Sequence, residues 1–202
     1  MIGIIDYGSG NTNSILSMLE YLDIDAKIIC KPSEVLFCDK LILPGVGSFD
    51  YAIKTLRSSG WVDYIERAVL HEKKPILGIC LGMQLFCSSS EEGQEKGLNW
   101  IDASVIRFKK EGEIKIPHMG WNYLSVNKEN KIIEKDALKG NRFYFVHSYH
   151  VVCNNKSDVL SYTDYGYKIV SAVSKDNIYG VQFHPEKSHR HGLSLFEKFD
   201  KI

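Results

Sequence analysis

A chain of 202 residues is most economically one domain, long enough to bury a sizeable core without disulfide or metal staples. Lysine plus arginine and aspartate plus glutamate number 25 each, so no global field recruits nucleic acid or an anionic membrane, and neither is expected as a partner. The 5 cysteines, an odd number with no C-x-x-C, argue against a disulfide framework or a zinc knuckle and point to a reducing compartment.

The start, Met1-Ile2-Gly3-Ile4-Ile5-Asp6, lacks a basic region before an apolar core, and no apolar run approaches membrane-spanning length. The expectation is a cytoplasmic protein. Residues 2 to 5 read as a buried parallel strand ending at Asp6-Tyr7-Gly8-Ser9-Gly10-Asn11. A helix follows, capped by Asn11 or Thr12, with Ile15, Leu19 and Leu22 at core-facing spacing. Gly8-Ser9-Gly10 after a strand is part of a dinucleotide fingerprint, but the third glycine position holds Asn13, so no cofactor is expected.

Ala26-Lys27-Ile28-Ile29-Cys30 and Lys40-Leu41-Ile42-Leu43 read as further strands. The latter runs into Pro44-Gly45-Val46-Gly47, either a plain turn or a segment whose backbone N–H groups converge as an oxyanion hole requires. Helical patterns follow at Phe49-Ile53-Leu56 and Val62-Ile65-Val69, then the apolar run Pro75-Ile76-Leu77. This rhythm predicts an open, mostly parallel α/β sheet with helices on both faces.

After the polar loop Ser88 to Gly93 the pattern changes to short alternating stretches, such as residues 103 to 108 and 142 to 146. Turn signals at Glu111-Gly112, Lys139-Gly140-Asn141, Asn154-Asn155 and Asp176-Asn177 separate them. The second half is expected to add antiparallel strands to the same sheet or a small sheet beside it. Pro117-His118-Met119-Gly120-Trp121-Asn122 reads as an aromatic turn, and His147-Ser148-Tyr149-His150 as a polar strand end. Residues 1 to 202 are taken as one domain, because no stretch is a flexible linker.

Gly78-Ile79-Cys80-Leu81-Gly82 is the sharpest local signal. Glycines on either side allow a tight strand-to-helix turn, and the positive end of the following helix favours a thiolate. Cys80 is either a small buried apolar residue or a nucleophile. A base and its orienter appear at the other end of the chain, in Gln182-Phe183-His184-Pro185-Glu186. Residues two apart in an extended stretch point the same way, so the Glu186 carboxylate can fix the His184 ring while the other nitrogen faces a thiol. Both Cys80 and His184 follow strands, and the carboxyl edge of an α/β sheet gathers such residues. His184, His189 and His191 lie too irregularly for a metal site, and none is expected.

These segments resemble the class I glutamine amidotransferases, most closely the glutaminase subunits of imidazole glycerol phosphate synthases. The likeness spans the chain through Asp6-Tyr7-Gly8-x-Gly10-Asn11, Leu43-Pro44-Gly45-Val46-Gly47, Gly78 to Gln84, Ser90-Glu91-Glu92, Pro117 to Asn122, Phe145 to Tyr149 and Gln182 to Ser188. It implies a flavodoxin-like fold in which a Cys80-His184-Glu186 triad hydrolyses glutamine. Oxyanion donors would come from Gly45, Val46 and Leu81, and substrate contacts from Gln84, Glu92, Ser148 and Tyr149. It implies as partner a (β/α)8-barrel cyclase subunit that takes ammonia onward in histidine biosynthesis, met by Asn11, Asn13, Trp121, Asn122, Tyr144 and Lys187. Such a glutaminase is nearly silent alone, and the Gly45 backbone is expected to reorient on activation.

Ser9 and the run Asn11-Thr12-Asn13-Ser14 are more polar, and Lys187 to Gly192 more basic, than is usual in that branch. A paralogous glutaminase feeding a surface-sugar amidotransferase is therefore the first alternative. A γ-glutamyl hydrolase or cysteine peptidase with the same triad, and a non-catalytic regulatory subunit, are the others.

Overall fold

The computed structural model describes residues 1–109, 114–133 and 140–202. The turn signals at Glu111-Gly112 and Lys139 lie outside the described residues. The first half contains β1 (Ile2–Ile5), α1 (Thr12–Tyr21), β2 (Ala26–Ile29), β3 (Lys40–Leu43), α2 (Phe49–Ser58), α3 (Trp61–Glu66), β4 (Ile76–Ile79) and α4 (Leu81–Leu85). Then come β5 (Ser89–Ser90), β6 (Ala103–Arg107), β7 (His118–Tyr123), β8 (Ser125–Val126), β9 (Arg142–His147) and β10 (Tyr149–Cys153). The chain closes with β11 (Val159–Tyr165), β12 (Tyr167–Lys175), β13 (Ile178–Val181) and α5 (His189–Asp200).

The main sheet runs β2-β1-β3-β4-β13-β12-β10-β6-β5, with β11 on β12 and β8 on β11. Its first five strands are parallel, in the 2-1-3-4-5 order of flavodoxin-like sheets. Beyond β13 the neighbours β12, β10 and β6 are antiparallel. β7 and β9 form a separate antiparallel pair. Both expected placements of the later strands therefore occur.

The parallel strands β1, β4 and β13 are buried along their whole length because both faces are covered, whereas edge strand β2 exposes Lys27. Leu41, Leu43 and Ile76 pack with Phe49, Ile53, Leu56 and Ile65 of α2 and α3. The alternate residues Ile42, Leu77 and Ile79 pack with Ile15 and Leu19 of α1 and Phe196 and Phe199 of α5. Both phenylalanines are fully buried, and each contributes roughly 2–3 kcal/mol of hydrophobic stabilisation. Leu22 caps the C-terminus of α1 and is only partly buried against the same core. At the other end the Asn11 side chain caps no backbone N–H of α1; its Oδ1 accepts from Ser14 Oγ at 2.9 Å.

Three local expectations need correction. Pro117 to Asn122 is not a turn: residues from His118 form β7, paired Trp121 with Tyr144 and Gly120 with Phe145. Backbone pairing with β9 overrides the turn-like glycine and proline. Ser89 and Ser90, expected in a loop, pair in parallel with Ser104 and Val105 of β6. The pattern Val62-Ile65-Val69 is split, because α3 stops at Glu66 and one π-helical turn, Arg67–His71, carries Val69 into the core. All five cysteines are free thiols. Among the described residues, no helix is long and apolar enough to cross a membrane.

Candidate active site

The parallel strands deliver their carboxyl ends to one edge of the sheet. Cys80 leaves β4 with φ 54° and ψ −107°, a conformation that costs a residue bearing a β-carbon on the order of 1–3 kcal/mol. Its N–H donates to the Val181 carbonyl at 2.8 Å, which ties the turn to the end of β13. Gly82 is required by close approach: a β-carbon there would overlap the Leu43 carbonyl oxygen. The strained turn is therefore clamped between β3 and β13.

Beyond β13, His184 Nδ1 lies 2.8 Å from Glu186 Oε1, and both side chains are almost wholly buried. The His184 N–H donates to the Tyr144 carbonyl at 2.8 Å, and Ser188 Oγ donates to the His184 carbonyl at 2.6 Å. With Nδ1 committed to Glu186, Nε2 is the nitrogen left for sulfur. Burial alone would depress the imidazole, but hydrogen bonds to Cys80 and Glu186, and their charges, raise its pKa to about 10. The arrangement keeps a proton on His184 at neutral pH.

Cys80 and His184 open onto a cavity of about 370 Å³. Gln84, Glu92, Ser148 and Tyr149, expected around the substrate, all line it. Glu92 also fixes the start of α2, its Oε2 accepting the Phe49 N–H at 2.8 Å. Gln84 Nε2 donates to the Tyr149 carbonyl at 3.2 Å and to Gln182 Oε1 at 3.0 Å.

Leu81 and Val46 also line the cavity, and Leu81 opens α4, where N–H groups have no intrahelical partner. Gly45 is buried behind them, where a β-carbon would meet Tyr7 Oη at 2.9 Å and Gly82 N at 3.0 Å. The Val46 N–H, an expected oxyanion donor, is engaged elsewhere: it donates to Ser9 Oγ at 3.1 Å. Ser9 Oγ in turn donates to the Val46 carbonyl at 2.6 Å. The sequence marked Ser9 only as unusually polar, and nothing in its spacing signals a contact across 37 residues.

Of the residues expected to meet a partner, Trp121, Tyr144 and Lys187 share one surface. Trp121 stacks on His189 with ring centres 5.4 Å apart and stands edge-on to Tyr144 at 6.0 Å, while Lys187 Nζ lies 6.0 Å from the Tyr144 ring. Asn13 is exposed at the start of α1. Asn122 is half-buried and held by backbone: Nδ2 donates to the Asp164 carbonyl at 2.9 Å and Oδ1 accepts the Tyr123 N–H at 2.8 Å.

At the cavity wall, which His147 helps to line, lies a histidine pair that the sequence offered only as strand and loop chemistry. His118 Nδ1 and His147 Nε2 are 3.0 Å apart, and His147 Nδ1 donates to the Tyr149 carbonyl at 2.7 Å. That carbonyl fixes the His147 tautomer, so Nε2 must accept from His118. Burial depresses His118 to about 4. It depresses His147 to about 3, against the Tyr149 hydrogen bond and with neighbouring histidines adding to the effect. Both rings are neutral. Among the described residues no group of three or more His, Cys, Asp or Glu is placed to hold a metal ion.

The family model for glutamine amidotransferase class-I matches residues 3–202. Imidazole glycerol phosphate synthase subunit HisH 2 of Methanococcus maripaludis is 51% identical over 201 residues, covering 100% of this chain and 99% of its own. Its namesake in Pseudomonas aeruginosa is 46% identical over 202 residues, covering 100% of both chains. Among solved structures, PurLQS from Thermotoga maritima matches with a TM-score of 0.74 at 17% identity, covering 98% of this chain and 96% of that one. The glutaminase domain of Trypanosoma brucei CTPS, with bound acivicin, matches with a TM-score of 0.64 at 18% identity, covering 99% of this chain and 93% of that one. At such identities these two structures speak to fold alone. The elbow at Cys80, the flavodoxin-like strand order and the full-length likeness agree: the chain belongs to the class I glutamine amidotransferases, in the branch of the imidazole glycerol phosphate synthase HisH subunits.

Proposed function

We propose that this chain is a glutaminase subunit that hydrolyses glutamine with Cys80, His184 and Glu186 and passes the ammonia to a histidine-pathway cyclase. The observation that carries the reading is the buried His184 to Glu186 hydrogen bond of 2.8 Å beside Cys80 on the cavity wall. Glu186 orients the ring and supports its positive charge.

The Cys80 sulfur attacks the side-chain amide carbon of glutamine. As the carbon–sulfur bond forms and the carbon–nitrogen bond breaks, the His184 proton passes to nitrogen, and ammonia leaves. Water then attacks the γ-glutamyl thioester while giving its proton to His184, and the carbon–sulfur bond breaks to release glutamate. Glu92 offers its second carboxylate oxygen to the α-ammonium group, and Gln84, Ser148 and Tyr149 hold the amino-acid end.

The oxyanion is met by the Leu81 N–H and by the N–H of Val46, once Val46 has left Ser9. One such donor is typically worth about 3 kcal/mol in the transition state. Its engagement by Ser9 accords with an enzyme that is nearly silent alone. The surface of Trp121, Tyr144 and Lys187 is the proposed seat of the cyclase, with Asn11, Asn13 and Asn122 around it. Ammonia there joins a phosphoribulosyl carboxamide nucleotide to give imidazole glycerol phosphate and aminoimidazole carboxamide ribotide.

The test is ammonia release from glutamine by the chain alone and with the cyclase carrying its nucleotide ligand. Large stimulation is expected. Turnover at background with the cyclase bound would overturn the partner assignment and turn attention to the surface-sugar synthases.

A further inference from the structure

Resting on the reading of Cys80 as a glutaminase nucleophile, we propose that Gln182 is a second hydrogen-bond donor to the reacting sulfur, one that never titrates. β4 and β13 run parallel with Ile79 opposite Val181, so the next residues, Cys80 and Gln182, emerge side by side. Gln182 is fully buried, and its Nε2 lies 3.6 Å from Cys80 Sγ, a normal reach for a hydrogen bond to sulfur.

The orientation of this amide is forced. The Tyr149 carbonyl can only accept, so the end of Gln84 facing it at 3.2 Å must be the NH₂. That same nitrogen lies 3.0 Å from Gln182, which must therefore present its oxygen. The Gln182 NH₂ is left pointing at sulfur. A backbone carbonyl thus sets two successive side-chain amides, and Gln84 ties the relay to the cavity wall.

The sulfur therefore stands between two donors of different kinds. His184 gives its proton away as ammonia leaves, whereas the Gln182 N–H stays in place and favours the charged sulfur throughout. Its contribution is greatest when the thioester carbon–sulfur bond breaks, water adding to carbon and sulfur departing as thiolate. Gln182 touches the reacting atom and is in this sense a catalytic residue.

The test is the pH dependence of Cys80 alkylation by iodoacetamide, with the labelled peptide identified by mass. Gln182→Met, which removes the donor at similar length, should move the midpoint up by about one pH unit, with alkylation about tenfold slower below it. Gln182→Glu, which keeps an oxygen for Gln84 and sets a negative charge against sulfur, should move it further. An unchanged midpoint in folded variants would overturn the proposal.

If neither variant folds, the side-chain amide resonance of Gln182 in ¹⁵N-labelled wild type decides the matter. It should move with the titration of the sulfur and cease to do so in Cys80→Ala; a signal that ignores the sulfur would contradict the proposal. Neither readout involves glutamine, so loss of the glutaminase reading and loss of this one are separately visible.

Discussion

Ser9→Ala tests the resting state of the oxyanion segment. Ser9 Oγ accepts the Val46 N–H at 3.1 Å and donates to the Val46 carbonyl at 2.6 Å. Each such bond contributes about 1 kcal/mol net, so the hydroxyl biases the Val46 N–H towards Ser9 rather than towards substrate by about 1–2 kcal/mol. Removing it should raise the turnover-competent population, and basal glutamine hydrolysis, by about 5- to 30-fold. The assay is glutamate formation by the isolated chain, with thermal unfolding as a check that the fold is intact. In the presence of the cyclase and its nucleotide, wild type and variant should converge if, as proposed, the partner frees the Val46 N–H. Basal turnover that is unchanged or lower in a folded Ser9→Ala protein would refute the reasoning.

Two further predictions concern the ionisable groups. Glu186→Gln keeps shape but removes the charge that helps hold His184 near 10, so kcat should fall about 100-fold or more with little change in KM; a kcat within twofold of wild type would contradict the role given to Glu186. His118 and His147 are depressed to about 4 and about 3, so the unfolded chain takes up protons below pH 6.5 while the native pair does not. Their stabilisation is present above pH 6.5 and is lost as pH falls towards the folded values. Between pH 7 and 5.5 the pair loses about 2–3 kcal/mol, and the raised His184, whose contribution instead fades above pH 6.5, returns about 1 kcal/mol. The net loss of about 2 kcal/mol should lower Tm by about 4–8 °C, read by calorimetry at the two pH values; a Tm that does not fall would contradict a neutral pair.

The parts of the site that follow from chain periodicity were legible in the sequence. Cys80 and His184 follow strands as expected, and Glu186 does meet His184 at 2.8 Å, but through a single 3-10 turn, Pro185–Lys187, rather than through the expected extended alternation. Gln182 lies in a bend just past β13, and its contact with sulfur depends on which strand neighbours β13, which no local pattern announces. The Ser9 to Val46 contact and the His118 to His147 pair are tertiary meetings of loops and strands distant in sequence, with no local pattern to announce them. β7 was hidden for a related reason: Gly120, at φ 130°, carries a turn signature that only pairing with β9 overrules.

The central claim, that Cys80 makes the ammonia and a partner consumes it, is tested most directly by Cys80→Ala in complex with the cyclase. The variant should lose product formation from glutamine while forming it normally from added ammonium. Loss of both activities would mean that Cys80 holds the structure together rather than attacking substrate, and retention of both would remove it from the chemistry altogether.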